Sequence, residues 1–199
     1  MDPSHWNARY ETTDRLWPNE PNLFVRDRLK TVPPGVGVDL GAGEGRNALW
    51  LSSIGWDMTA VDFSSIAVER GQHESDAVKF EVADALEWEP VGAVDLILVA
   101  YLHLPFEAVE SLLRKLPTWL SPGGEVFLIG HDISNLEHGY GGPQVPEILW
   151  NVSDLLSWLG PVEVIEAIVV RRPVETEDGT VNARDTLVRV RATPRTERA

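Results

Sequence analysis

The sequence predicts an α/β fold, a mostly parallel sheet with helices on both faces and an antiparallel hairpin at its C-terminal end. Three observations predict it. Short apolar runs alternate with amphipathic ones along most of the chain. The first apolar run passes directly into a glycine-rich turn, "VDLGAGEG", and then into a helical pattern. The last two apolar runs flank "EDGT", a hairpin signal.

The elements follow in order. "VGVDLG" (Val36 to Gly41) reads as a buried strand, and a helix runs from Arg46 to Ile54. "DMTAVDF" (Asp57 to Phe63) is the second strand. "SSIAVERGQHE" is a helix with a serine cap. "VKFEVAD" (Val78 to Asp84) is the third strand. "VDLILVAYL" (Val94 to Leu102) is the fourth, nearly all apolar as a central parallel strand should be. "PFEAVESLLRKLPTWL" is a helix with Pro105 at its start and a break near Pro117, and "GGEVFLIGHD" (Gly123 to Asp132) is the fifth strand. The glycine-rich stretch Ile133 to Pro146 is too long for a plain connector. "VSDLLSWLG" is a helix capped by Ser153 or Asp154. "VEVIEAIVVRR" and "RDTLVRVRAT" form the hairpin, and "PRTERA" is a loose tail.

Bulk composition narrows the function. A chain of 199 residues with 43% hydrophobic content suits one domain, with an N-terminal segment over 1–30, a core over 36–192 and a tail over 193–199. The net charge of −14 disfavours nucleic acid and anionic membrane as partners. The chain has no cysteine, which removes thiol nucleophiles, disulfides and cysteine-based zinc sites. The N-terminus lacks a signal-peptide pattern and no apolar run is long enough to span a bilayer, so a cytoplasmic protein is expected.

Ligands of doubly wound sheets bind beyond the carboxyl ends of the strands. Gly41, Gly43 and Gly45 stand there, but their spacing is not the G-x-G-x-x-G of dinucleotide sites. Asp39 lies inside the first strand, Asp62 closes the second and Asp84 the third. A carboxylate at Asp62 can accept from two ribose hydroxyls, one at Asp84 from adenine N6, and one at Asp39 favours an ammonium group. Ribose, adenine and an amino-acid ammonium together point to S-adenosylmethionine. A nicotinamide-binding domain is the nearest rival, since Asp62 alone also suits its ribose.

These residues resemble a class I S-adenosylmethionine-dependent methyltransferase. The matching features are Asp39-x-Gly41-x-Gly43-x-Gly45, Asp62, "ADA" at Ala83 to Ala85 and the strand "VDLILVAY", over Val36 to Ala192. The resemblance implies a Rossmann-like, doubly wound sheet of seven strands with the last antiparallel. It implies that Asp62 holds the ribose and that Asp84 and Ala85 flank the adenine. The expected cofactor residues are thus Asp39, Gly41, Ala42, Gly43, Gly45, Arg46, Asn47, Asp62, Phe63, Ser64, Asp84, Ala85 and Ala100, with Trp6 from the N-terminal segment. In the small methyltransferases of tellurite-resistance and thiopurine type, which this chain also resembles, such a segment ("HWNARYETTDRLWPNEPN", with Trp6, Tyr10 and Trp17) closes as a lid. A docking helix with core aromatics is the alternative.

The acceptor is expected at the loops after the fourth and fifth strands. The Asn-Pro-Pro-Tyr signature of DNA and glutamine methyltransferases is absent there, which with the charge argues against a nucleobase acceptor. Each loop carries a histidine, His103 and His131. A hydroxyl acceptor needs a base as it attacks, and imidazole fits near pH 7. His131 is the first candidate and His103 the second, with Tyr101 lining the pocket. His131, Asp132 and Asn135 could hold magnesium as in catechol methyltransferases, but a single Asp is thin for that ion, and no metal is expected. The expectation is O-methylation of a small molecule by a monomer or homodimer. The alternatives are transfer to sulfur or a metalloid, and a non-catalytic cofactor binder.

Overall fold

The computed structural model describes residues 3–13, 15–16 and 18–193, and of residues 3–5 only the backbone. Trp17 and the tail "PRTERA" lie outside the described residues. Seven strands form one sheet, and the chain divides into two compact units, Met1–Val99 and Ala100–Ala199.

The first unit contains α1 (Pro3–Glu11), α2 (Leu23–Leu29), β1 (Val36–Leu40), α3 (Arg46–Ser53), β2 (Asp57–Asp62), α4 (Ser65–Glu74), β3 (Val78–Val82) and β4 (Val94–Ala100). Its strands lie in the order β3-β2-β1-β4, all parallel where they pair around β1 and β2. The order reverses beside β1, which leaves a crevice at its carboxyl end. Val38, Leu40, Met58, Ala60, Val61, Leu96, Ile97 and Leu98 are buried, so β1, β2 and β4 are central strands covered on both faces. Ser64 caps α4 by accepting from the Ala67 N–H.

The second unit contains α5 (Phe106–Trp119), β5 (Leu120–His131), the single turn α6 (Asn135–His138), a 3₁₀ turn (Pro146–Ile148), α7 (Val152–Leu159), β6 (Glu163–Thr176) and β7 (Gly179–Arg191). Its strands run β5-β7-β6, antiparallel at both contacts. The hairpin forms as expected. Thr176 pairs with Gly179 across Glu177 and Asp178, and both strands reach closer to the turn than their apolar runs suggest because the ladder zips to it.

Several boundaries differ from expectation. β4 ends at Ala100, because Tyr101 takes a left-handed backbone (φ 59°) that no strand continues through. β3 ends at Val82, two residues before Asp84, which begins a turn. α5 runs through Pro117 and ends at Trp119 rather than breaking at the proline. In the last turn Pro117 forfeits one backbone bond, while Leu116 and Trp119 stay buried. α7 is capped by Asn151, whose Oδ1 accepts from the Asp154 N–H at 2.9 Å, and neither Ser153 nor Asp154 is the cap. Among the described residues no helix is long and apolar enough to cross a membrane.

Candidate functional site

In the first unit the loop after β1 needs glycine for its backbone. Gly41, Gly43 and Gly45 all have positive φ (70°, 58° and 80°), where a side chain would be strained. The N–H groups of Gly41 and Ala42 donate to the Val61 carbonyl at 2.8 and 3.0 Å, which ties the loop to β2. Asp62 completes the tie. Its Oδ2 accepts from the Gly43 N–H and its Oδ1 from the Ser64 N–H, both at 2.8 Å. Each oxygen keeps a free lone-pair direction for a ligand hydroxyl. Burial raises the Asp62 pKa against the pull of the two N–H groups.

Asp39 is different. It is 1% exposed, and neither carboxylate oxygen has a hydrogen-bond partner. Burial pushes its pKa up to about 7; Arg46 opposes the shift and Asp62 adds to it. A buried carboxyl without a partner beside the glycine loop suits a cation, which is what the ammonium of S-adenosylmethionine would supply.

The other expected cofactor residues divide. Asp84 is exposed, its Oδ1 accepts from the Leu86 N–H at 2.9 Å, and Ala85 beside it is buried. Phe63 and Ala100 are half-buried at the ends of β2 and β4. Arg46 opens α3. Asn47 is turned to a structural task, its buried Oδ1 accepting from the Asn22 N–H at 2.9 Å, just where Asn22 caps α2. Ser64 donates to Asn7 Oδ1 at 2.6 Å, which fastens α1 at the end of β2. Trp6 lies on the same helix, with the Arg9 guanidinium 4.6 Å from its ring centroid, and Tyr10 is buried. Sequence reading missed Glu44. It is buried, accepts from the Leu16 N–H at 3.2 Å and pairs with Arg70 at 3.2 Å, so it pins the chain ahead of the sheet to the loop.

In the second unit the two histidines and the tyrosine do converge. The His103 and His131 rings stack with centroids 5.2 Å apart, and the Tyr101 ring meets His131 edge-on at 5.1 Å. His103 Nε2 accepts from the His131 backbone N–H at 2.9 Å. Burial, then the neighbouring His131, lowers its pKa to about 4. Its Nε2 lone pair is therefore occupied in this arrangement. His131 Nδ1 lies 3.2 Å from Asp185 Oδ1. Asp185 Oδ2 accepts from Tyr101 Oη and from Arg172 Nε, both at 2.7 Å. Asp185 is fully buried, and although burial works to raise its pKa, His131, Arg172 and Tyr101 prevail and lower it. Burial and the adjacent Asp185 raise the Tyr101 pKa, so its phenol stays protonated.

The glycine-rich stretch lies against this cluster. A Cβ on Gly142 would stand 2.9 Å from the His131 ring. Asp132 and Asn135 hold that stretch in place. Asp132 accepts from the Ser134 N–H, the Ser134 hydroxyl and the Thr186 hydroxyl. Asn135 donates to the Gly141 carbonyl and accepts from the Arg184 N–H. Among the described residues no group of three or more histidines and acids could hold a metal ion. Asp185 and Arg172 are absent from the sequence-derived site. The one available signal was an acid inside the strand "RDTLVRV", whose partner depends on sheet register.

A family model for a methyltransferase domain matches residues 38–124, the span from β1 into β5 that includes the glycine loop and Asp62. Over that span the chain is similar to S-adenosylmethionine-dependent methyltransferases. It is 27% identical over 106 residues to the probable S-adenosyl-L-methionine-dependent methyltransferase TehB of Haemophilus influenzae, covering 50% of this chain and 37% of that one. It is 50% identical over 107 residues to hemagglutinin 1 of Eikenella corrodens (50% and 35% covered), and 27% identical over 151 residues to a ribosomal RNA small subunit methyltransferase C of Alcanivorax borkumensis (63% and 46% covered). The chain therefore spans less than half the length of these curated relatives. In fold it matches the crystal structure of Haemophilus influenzae TehB, with TM-score 0.72 at 18% identity over 97% of this chain and 68% of that one. It also matches the N-methyltransferase NodS of Bradyrhizobium japonicum in complex with S-adenosyl-L-homocysteine, with TM-score 0.70 at 17% identity over 98% and 100%.

Proposed function

We propose that this chain transfers the methyl group of S-adenosylmethionine to a hydroxyl of a small metabolite, with His131 as the base. The single observation behind the base is the contrast between the two stacked histidines. His103 has its Nε2 lone pair committed to the main chain, whereas among the described residues no hydrogen bond engages Nε2 of His131. The bound cofactor supplies an already activated methyl group, so the protein's task is positioning and proton removal. The glycine loop, Asp39 and Asp62 serve the cofactor; Phe63, Ala85 and Ala100 line it; and α1 with Trp6 and Asn7 acts as its lid. The acceptor oxygen bonds the methyl carbon as the carbon–sulfur bond breaks with its electron pair on sulfur, and the acceptor's proton passes to His131 Nε2.

The acceptor class rests on the residues rather than on relatives. The negative charge favours a small molecule over nucleic acid, with the protein acting in the cytoplasm as a monomer or homodimer. A second reading, transfer to a thiol or metalloid, is favoured by the similarity to TehB together with the tellurite-type sequence resemblance, and it needs no base because a thiol is already partly ionised. Release of S-adenosylhomocysteine against sugars, phenols, thiols, tellurite and selenite, each with and without magnesium, separates the readings. Turnover on hydroxyls that disappears in His131→Ala supports the first. Turnover confined to thiols or metalloids and kept in His131→Ala supports the second. Cofactor binding without turnover on any acceptor leaves a binding protein.

A further inference from the structure

We propose that Asp185, clamped by Tyr101 and Arg172, is a positioning residue that locks His131 in the Nδ1–H tautomer and so presents Nε2 as the basic nitrogen. The proposal rests on the reading of His131 as base and names what makes that nitrogen basic.

The sheet register carries the first part. His131 is the last residue of β5, and Asp185 is its direct partner on β7. Side chains of directly paired residues lie on the same face of a sheet, so the two are aimed at each other by backbone pairing rather than by a flexible loop. His131 Nδ1 and Asp185 Oδ1 are both buried, neither has an aligned hydrogen-bond partner elsewhere, and they stand 3.2 Å apart. Each is the other's available partner, and a small rotation of the imidazole aligns them.

The chemistry of the clamp carries the second part. Oδ2 of Asp185 accepts from the Tyr101 hydroxyl and from Arg172 Nε, and Arg172 Nε also lies 3.1 Å from the Tyr101 oxygen. Two donors on one oxygen, one of them a guanidinium, hold Asp185 as a carboxylate, which can only accept. An acceptor facing Nδ1 requires the ring proton there, and a neutral imidazole has only one, so Nε2 is left with its lone pair. When Nε2 takes the acceptor's proton, the same carboxylate stabilises the imidazolium. The arrangement follows the logic of a carboxylate–histidine pair in hydrolytic triads.

The remaining groups around His131 are compatible. From the segment after β4, Tyr101 and His103 face it, and both are neutral. From β6, Arg172 reaches it only through Asp185. The neighbouring Asp132 is turned to Ser134 and Thr186. From the glycine-rich stretch comes Gly142, which brings no charge.

The test is nitrogen-15 NMR of the histidines together with the pH profile of turnover, in the intact chain and in Asp185→Asn. In the parent, His131 is expected as the Nδ1–H tautomer, with turnover rising as its imidazole loses a proton. In Asp185→Asn the tautomer is expected to become mixed and the rising limb to move to lower pH, because the carboxylate that favours imidazolium is gone. The plateau is expected to fall by roughly 10²–10⁴-fold. Tyr101→Phe removes one donor and leaves the carboxylate; it is expected to move the limb the other way, to higher pH, and serves where Asp185→Asn does not fold. An unchanged tautomer and limb in both variants overturns the proposal, even where activity falls. Turnover that survives His131→Ala, with the tautomer shift still present in Asp185→Asn, overturns the base reading instead and leaves the tautomer lock standing.

Discussion

Asp39 in β1 beside the glycine loop and Asp185 on β7 in the histidine cluster are equally buried, at 1% and 0% exposure, yet their pKa values move in opposite directions. Asp185 has two donors on Oδ2 and His131 facing Oδ1, and its pKa is lowered. Neither oxygen of Asp39 has an aligned donor, the Ala48 N–H and Arg46 do not offset its burial, and its pKa climbs to about 7. Equal burial therefore does not set the direction of the shift between these two acids; the donors do. The contrast also separates two kinds of readiness. The cluster around Asp185 is complete in the free protein. The region around Asp39 is completed by a cation, and on our reading the cofactor brings it.

The largest effect expected from breaking this contrast is on rate. His131→Ala should lower turnover on a hydroxyl acceptor by about 10²–10⁴-fold, the usual contribution of a positioned base, while cofactor affinity stays nearly unchanged. Steady-state kinetics beside calorimetry checks both at once. If the two parameters fall together, the cluster is not separable from the cofactor region.

The next concerns Asp39. Its folded pKa is raised above the ordinary value of 3.8, so the folded state holds that proton more tightly than the unfolded chain does. Stability from this group is full below about 4 and is lost as pH rises toward 7. Without cofactor, Asp39→Asn should therefore be more stable than the parent at pH 8, by on the order of 2–4 kcal/mol, and should not show that loss between pH 4 and 7. Urea unfolding at both pH values would show it. The same pH-dependence in parent and variant would mean that Asp39 already has a partner in solution.

A smaller change is expected at Asp62, whose two backbone donors are in place without a ligand. Asp62→Ala should weaken S-adenosylmethionine binding by roughly 1.5–3 kcal/mol, the range for losing hydrogen bonds to a charged group. Unchanged affinity by calorimetry would leave Asp62 a loop tie only. The smallest belongs to α1. Asn7→Ala removes its bond to Ser64 and should cost about 0.5–1.5 kcal/mol, read as increased protease cleavage within residues 1–22 that cofactor suppresses.

How far the sequence revealed these two regions follows from how each is built. The glycine loop is contiguous. Gly41, Gly43 and Gly45 carry their own conformational signature, and Asp39 and Asp62 sit at strand positions that an apolar pattern reveals. The alternation of elements made the sheet and its hairpin legible for the same reason. The histidine cluster is not contiguous. His103 and His131 stood out because imidazoles are few and each fell after a strand, but Asp185 joins His131 only through the β5–β7 register, which periodicity cannot supply. Asp132, the acid beside His131 in sequence, is turned to Ser134 and Thr186 instead. The hydrogen bond between Asn47 and Asn22 was likewise not legible, since it joins residues 25 apart in the chain.

The ring of Phe80 on β3 fills the space above two glycines, Gly45 at the end of the glycine loop and Gly71 in α4. A Cβ at Gly45 would stand 2.6 Å from it, and one at Gly71 would meet it as well. The three positions therefore cannot vary independently. In a library that randomises all three, survivors carrying a larger residue at 71 should carry a smaller one than phenylalanine at 80. Position 45 should stay glycine even then, since its backbone (φ 80°) excludes a side chain after the room has been made. One aromatic ring would thus leave a linked pattern of substitutions that passes through the cofactor loop without touching the cofactor.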